Sequence, residues 1–197
     1  MFSKISNYIT DQIYATVSGI ELEKREVIEY GAYMTLSEIS KIAILLIIAA
    51  IMNVFIYAIG AIFIFGFLRM TLGGIHAKTH WGCIISYFSF IFGTIAVSLI
   101  FRADRIIIDA IAIPYVLIVT YLYAPADLPV KPVVSKIQRK RLRTIGFILL
   151  TALFTGAQFV GPVWFNIFML TCVIQSTLMT PVIYKITNNK YGKEVPV

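Results

Sequence analysis

Long apolar runs set the limits on this chain. Ile42 to Leu68, Cys83 to Phe101, Ile106 to Tyr123, Ile145 to Val160 and Val163 to Tyr184 carry very few charges. A helix needs about 20 apolar residues to cross the ~30 Å hydrocarbon core of a bilayer. Backbone polar groups in lipid must be satisfied within the chain, so runs of this kind span as helices. Composition agrees: of 197 residues 59% are hydrophobic and 14% charged, with a mean hydropathy of +0.85. A soluble domain would be about 45–50% apolar and about 25% charged. The expected class is all-α, a polytopic integral membrane helix bundle of five to six segments, and a single soluble domain is excluded.

The first run is the ambiguous one. Its 27 residues would make a helix of about 40 Å, too long for one upright span and too short for two full ones. Asn53 and Gly60 are the candidate break points, which leaves a long tilted helix or a hairpin of shortened helices. Ahead of it, Phe2, Ile5, Ile9, Ile13, Val17 and Ile20 recur at helical spacing, predicting an N-terminal amphipathic helix. It either lies on a membrane surface or partner, or packs on its own bundle. Residues 1–41 hold six acids and no continuous apolar run, so no cleaved signal is expected and the first span serves as its own insertion signal.

Basic residues orient the bundle. Lys and Arg number four in 1–41, two in 69–82, two in 102–105, six in 124–144, none in 161–162 and three in 185–197. Alternating spans with 124–144 inside leave only Arg102 and Arg105 outside among the later loops, as the positive-inside rule prefers. With a hairpin at 42–68, 15 of the 17 basic residues are cytoplasmic. The expected organisation is therefore a cytoplasmic region 1–41, a membrane domain 42–184 with loops 69–83 and 124–144, and a cytoplasmic tail 185–197. The net charge of +7 is accounted for by this sidedness, so no nucleic-acid partner is expected; the lipid bilayer is the partner that the charges meet.

Chemistry concentrates in one loop. Arg69 to Cys83 holds both histidines, His76 and His80, one of the two cysteines, the pair Gly73-Gly74, and the cations Arg69 and Lys78. A cysteine nucleophile needs a base or a field to hold it as thiolate. Cys83 follows Gly82, where the next helix is expected to start, and a helix N-terminus favours an anion. Backbone amides there would supply an oxyanion site, with Lys78 or Arg69 as a cationic supplement. On a continuous helix His76 would stand about 10.5 Å along the axis from Cys83, so direct contact requires a bend, placed at Trp81-Gly82. His80, three residues away, needs none. Geometry favours neither.

The string Arg69 … Gly73-Gly74-Ile75-His76-Ala77 … Cys83 resembles the signature of the accessory gene regulator B (AgrB) family of membrane endopeptidases in bacterial quorum sensing. Tyr123-Ala124-Pro125-Ala126-Asp127 with Lys131-Pro132 is similar to a second stretch of that family. The resemblance implies a cysteine endopeptidase that cuts an AgrD-type propeptide near its C-terminus and lets a peptide side chain resolve the acyl-enzyme to a thiolactone or lactone. It implies Cys83 as nucleophile and His76 as base, matches Arg69 and Gly74 to positions of unassigned role, leaves His80 outside the string, and implies a homodimer. No cofactor is called for. The expected location is a bacterial cell membrane, multi-pass, with the active site at the cytoplasmic face.

Two rivals stand beside this reading. His76, His80 and Cys83 have ligand-like spacings of four and three, but no fourth metal ligand is evident nearby. A non-enzymatic transporter or peptide exporter fits the polytopic layout, yet such a protein is expected to carry its polar groups at the midplane. Cys172, among Leu170, Thr171 and Val173, reads as a packing residue, and Asp109 as an intramembrane acid with Arg105 as its candidate partner. Finally, Lys131, Lys136, Arg139, Lys140, Arg141 and Arg143 form a basic run without an acid. Besides fixing topology, Lys131, Arg139, Lys140, Arg141 and Arg143 are expected to bind an acidic C-terminal tail of the substrate.

Overall fold

The structure, a computed structural model, describes residues 2–16, 23–75, 77, 79–101, 104–126 and 135–189. Among these residues the extended elements are all helices: α1 Phe2–Thr16, α2 Glu23–Ile51, α3 Phe55–Leu72, α4 His80–Ile100, α5 Arg105–Tyr123, α6 Lys136–Ala157, α7 Pro162–Thr177 and α8 Pro181–Ile186. Four contain stretches long and apolar enough to cross a membrane: Ile28–Ile51, Phe55–Leu72, Trp81–Ile100 and Arg105–Tyr123. α7 is apolar but has 16 residues, and α6 opens with the basic cluster from Lys136 to Arg143. The all-α membrane bundle is as expected. The chain divides into two compact units, residues 1–53 and 54–197.

In the first unit α1 packs along α2. Arg25 Nη2 donates to Asp11 Oδ1 at 2.6 Å, and its guanidinium lies 5.7 Å from the Tyr14 ring centroid. Ser6 and Thr10 of α1 are buried, whereas Ile5 and Tyr8 are exposed. Small hydroxylated side chains allow helices to approach closely. α1 therefore packs on α2, and the apolar stripe is only partly its contact face. Val17 and Ile20 lie outside the described residues.

The apolar run 42–68 is divided between two helices, with the break at Asn53. That residue has φ 57°, a left-handed conformation that Asn tolerates better than most side chains. Neither helix is shortened, because α2 reaches back to Glu23 and α3 continues to Leu72. Run length misled here: charged residues continue both helices instead of ending them. Gly60 is no break. It lies within α3, where a Cβ would collide with the Trp164 ring, and Tyr57 packs 5.2 Å from that indole.

The second unit is built around α7, which packs against α3, α4, α5 and α6. Phe165, Ile167, Met169 and Cys172 are buried on it, so Cys172 fills space as expected. Gly161 caps α7 with Pro162 in the first turn, the tight turn expected from Gly161-Pro162.

Chain reversals sort to two ends of this unit. At one end Arg105 donates to Gln158 O at 3.2 Å and Val160 O at 2.7 Å, and lies 4.9 Å from the Phe165 ring centroid. Asn166 Nδ2 donates to Phe101 O at 2.8 Å. The expected Arg105–Asp109 pair is not formed. Carbonyls after the last turn of α6 lack intrahelical donors and claim the guanidinium, while Asp109 accepts from Gln158 Nε2 at 3.2 Å. The other end gathers the start of the 73–79 loop, residues 124–126, the start of α6 and the end of α7.

Candidate active site

Arg69 lies in the last turn of α3, where a cation suits the helix dipole. Gly73 caps the helix at φ 74°, ψ −145°, and Gly74 follows at φ 119°. L side chains rarely adopt either conformation. At Gly73 a Cβ would run into the Ala126 carbonyl, and at Gly74 into the Arg69 guanidinium, with Leu178 O at 3.2 Å.

The two motifs, some fifty positions apart in the chain, are stitched together by their backbones. Ala126 N–H donates to Leu72 O at 2.9 Å and Gly74 N–H to Ala126 O at 2.7 Å, forming a parallel bridge between Gly73 and Ala126. Ile75 N–H donates to Leu178 O at 3.3 Å. Ala124, Pro125 and Ala126 are buried, so their carbonyls need donors. Arg143 Nε serves Ala124 O at 2.8 Å and Arg139 Nη1 serves Pro125 O at 3.2 Å. α6 comes close enough for this because Gly146 packs against Leu72, where a Cβ would clash.

α4 starts at His80, three residues earlier than expected, because Thr79 caps it. The Thr79 side chain accepts from Gly82 N–H at 3.0 Å, and Thr79 O from Cys83 N–H at 3.0 Å. Gly82 does not bend the chain. A Cβ there would stand 2.8 Å from Thr79 Oγ1, so its missing side chain makes room for the cap. Cys83, half-buried and not in a disulfide, lies in the opening turns of α4, two positions after Trp81, which is 72% exposed. Its own amide and that of Gly82 are both bonded to Thr79.

Residues 74, 75, 77 and 79 are non-helical. No continuous helix therefore runs from Gly74 to Cys83. His76, Lys78, Lys131 and the side chain of His80 lie outside the described residues, and with them the geometry of the metal-site alternative. Lys140 and Arg141 are exposed.

Two contacts at this end have no counterpart in the sequence reading. Gln175, fully buried in α7, donates from Nε2 to Gly73 O at 2.6 Å, and Arg69 Nη1 reaches the same oxygen at 3.2 Å. The available signal was a carboxamide inside an apolar run, where polar side chains are costly.

The chain is similar to AgrB-like proteins. "Putative AgrB-like protein 2" of Clostridium perfringens (strain 13 / Type A) is 23% identical over 157 residues, covering 77% of this chain and 73% of that protein. "Putative AgrB-like protein" of Clostridium acetobutylicum is 26% identical over 182 residues, covering 89% and 82%. No solved structure matches the chain. The family model for accessory gene regulator B matches residues 3–184, almost the whole length, so the chain belongs to the accessory gene regulator B family.

Proposed function

We propose that this chain is a membrane-embedded cysteine endopeptidase that cleaves an AgrD-type propeptide near its C-terminus. Family membership supports a role in the accessory gene regulator system, at a membrane. The observation that carries the finer reading is the junction of the two motifs: the Gly73–Ala126 bridge brings the loop that leads to His76 and Cys83 into register with the second motif. In the reaction His76 takes the thiol proton of Cys83, Sγ attacks the scissile carbonyl, and the C–N bond breaks as the amine of the C-terminal fragment takes that proton from His76. A thiol or hydroxyl of the peptide then gives its proton to His76 and attacks the thioester, the bond from the carbonyl carbon to Sγ breaks as the ring closes, and Cys83 recovers its proton from His76. Scarce water at a membrane-embedded site favours that internal nucleophile.

Residues 1–41, the 69–83 and 124–144 loops and the 185–197 tail face the cytoplasm in this reading, and a homodimer is the form implied by the family. Propeptide added to inverted membrane vesicles should give a hydroxylamine-labile adduct on the Cys83 peptide, and added to right-side-out vesicles none. An adduct only in right-side-out vesicles would reverse the topology, and a hydroxylamine-stable product would remove the thioester.

The basic loop serves two purposes. Arg139 and Arg143 hold the carbonyls of Pro125 and Ala124, while Lys140 and Arg141 are exposed and take the acidic tail. A Lys140→Glu, Arg141→Glu variant should raise KM for an acidic-tailed peptide several-fold with little change in kcat. Added salt should do the same to the parent protein, since a remote contact equal in ground and transition states is uniform binding. A basic-tailed peptide should partly rescue the variant; unchanged KM with normal insertion would confine these residues to topology.

A further inference from the structure

From the contacts at Gly73 we infer that Gln175 is a positioning residue for the catalytic loop; this rests on Cys83 acting as the nucleophile. The Gln175 side chain is 0% exposed in a mostly apolar helix, and one end of its amide is used. Nε2 donates to Gly73 O at 2.6 Å, whereas Oε1 has no hydrogen-bond partner among the described residues. A carbonyl buried without a donor is costly, so packing alone would favour Leu or Met here. What the carboxamide provides is the bond to Gly73.

That bond fixes a peptide plane. In a trans peptide the C=O and the following N–H point in opposite directions. Holding Gly73 O towards Gln175 Nε2 and Arg69 Nη1 therefore aims Gly74 N–H at Ala126 O, where it bonds at 2.7 Å. One residue on, Ile75 N–H is held by Leu178 O, three positions beyond Gln175 on the same stretch of chain. α7 and its exit thus set the course of residues 73–75, and His76 is the next residue. Both glycines have backbone conformations that need such restraint, since without a Cβ each has many alternatives.

The test compares Gln175→Met, which keeps volume and removes the donor, with Gln175→Glu, which keeps shape and turns an acceptor towards Gly73 O. Both should insert normally and leave KM for the propeptide within about threefold, while kcat falls about 10–100-fold, the scale of an ångström-level displacement. The discriminating readout is iodoacetamide alkylation of the Cys83 peptide at neutral pH in folded, uncleaving protein. It should slow towards the rate in His76→Ala, which a role in bundle stability alone would not produce. Wild-type kcat in inserted Gln175→Met, or reduced kcat with unchanged alkylation, would overturn the inference. Failure of both variants to accumulate would also overturn it, assigning Gln175 to the bundle. Cleavage by Cys83→Ala would instead remove the nucleophile reading, which makes the two failures distinguishable.

Discussion

Cys83→Ala and His76→Ala should each abolish propeptide cleavage, while His80→Ala should retain substantial activity. Loss of the nucleophile leaves no covalent route: the other thiol, Cys172, is fully buried in α7 and has no access to substrate. A fall of about 10³-fold or more is expected for Cys83→Ala, and about 10²–10⁴-fold for a positioned base. The histidines are the sharper comparison. α4 runs unbroken from His80, so His80 and Cys83 stand three residues apart on one helix, a spacing that makes neighbours. His76 belongs to the family string, whose residues 74, 75 and 77 are non-helical. Helix adjacency predicts that His80 matters; the motif predicts that His76 does. Propeptide conversion followed by mass, at matched amounts of inserted protein, decides between them. An inactive His80→Ala beside an active His76→Ala would reverse the assignment.

Much of the bundle was legible in the sequence because span length and helix caps are local properties. Gly161-Pro162 marked a turn, and Asn53 was one of two break points for the first run. What failed there was helix extent: Glu23 to Lys41 and Arg69 to Leu72 are too polar to count as apolar run, yet they continue helices. Gly60 and Gly82 misled in the same way. Read as punctuation, both are spaces, one for Trp164 and one for the Thr79 cap. The loop chemistry around Cys83 was visible as composition, while the framework holding it was not. Gln175 is 102 positions from Gly73, and Arg143 19 from Ala124; no local pattern links them. Arg105 showed the limit of pairing by spacing, since orphan carbonyls outcompeted the carboxylate four residues away.

Gly73→Ala should be the most damaging single change outside the catalytic pair, and more damaging than Gly74→Ala. Both positions have positive φ, where an L side chain adds strain of about 1–3 kcal/mol. The obstacles differ. At Gly73 the new Cβ meets the Ala126 carbonyl, a backbone atom already bonded to Gly74 N–H, so relief requires opening the bridge between the motifs. At Gly74 it meets the end of the Arg69 side chain, which can swing away at the cost of its bond to Gly73 O. Gly73→Ala should therefore lower both the thermal midpoint in detergent and cleavage, the latter by about 100-fold or more, as expected when an active-site loop is displaced. Gly74→Ala should reproduce most of the loss seen in Arg69→Ala, and the double variant should be little worse than either, because both changes remove the same donor from the same carbonyl. Additive losses in Gly74→Ala with Arg69→Ala would separate the two residues. Wild-type activity in Gly73→Ala would show that the bridge to Ala126 does not hold the loop in its working form.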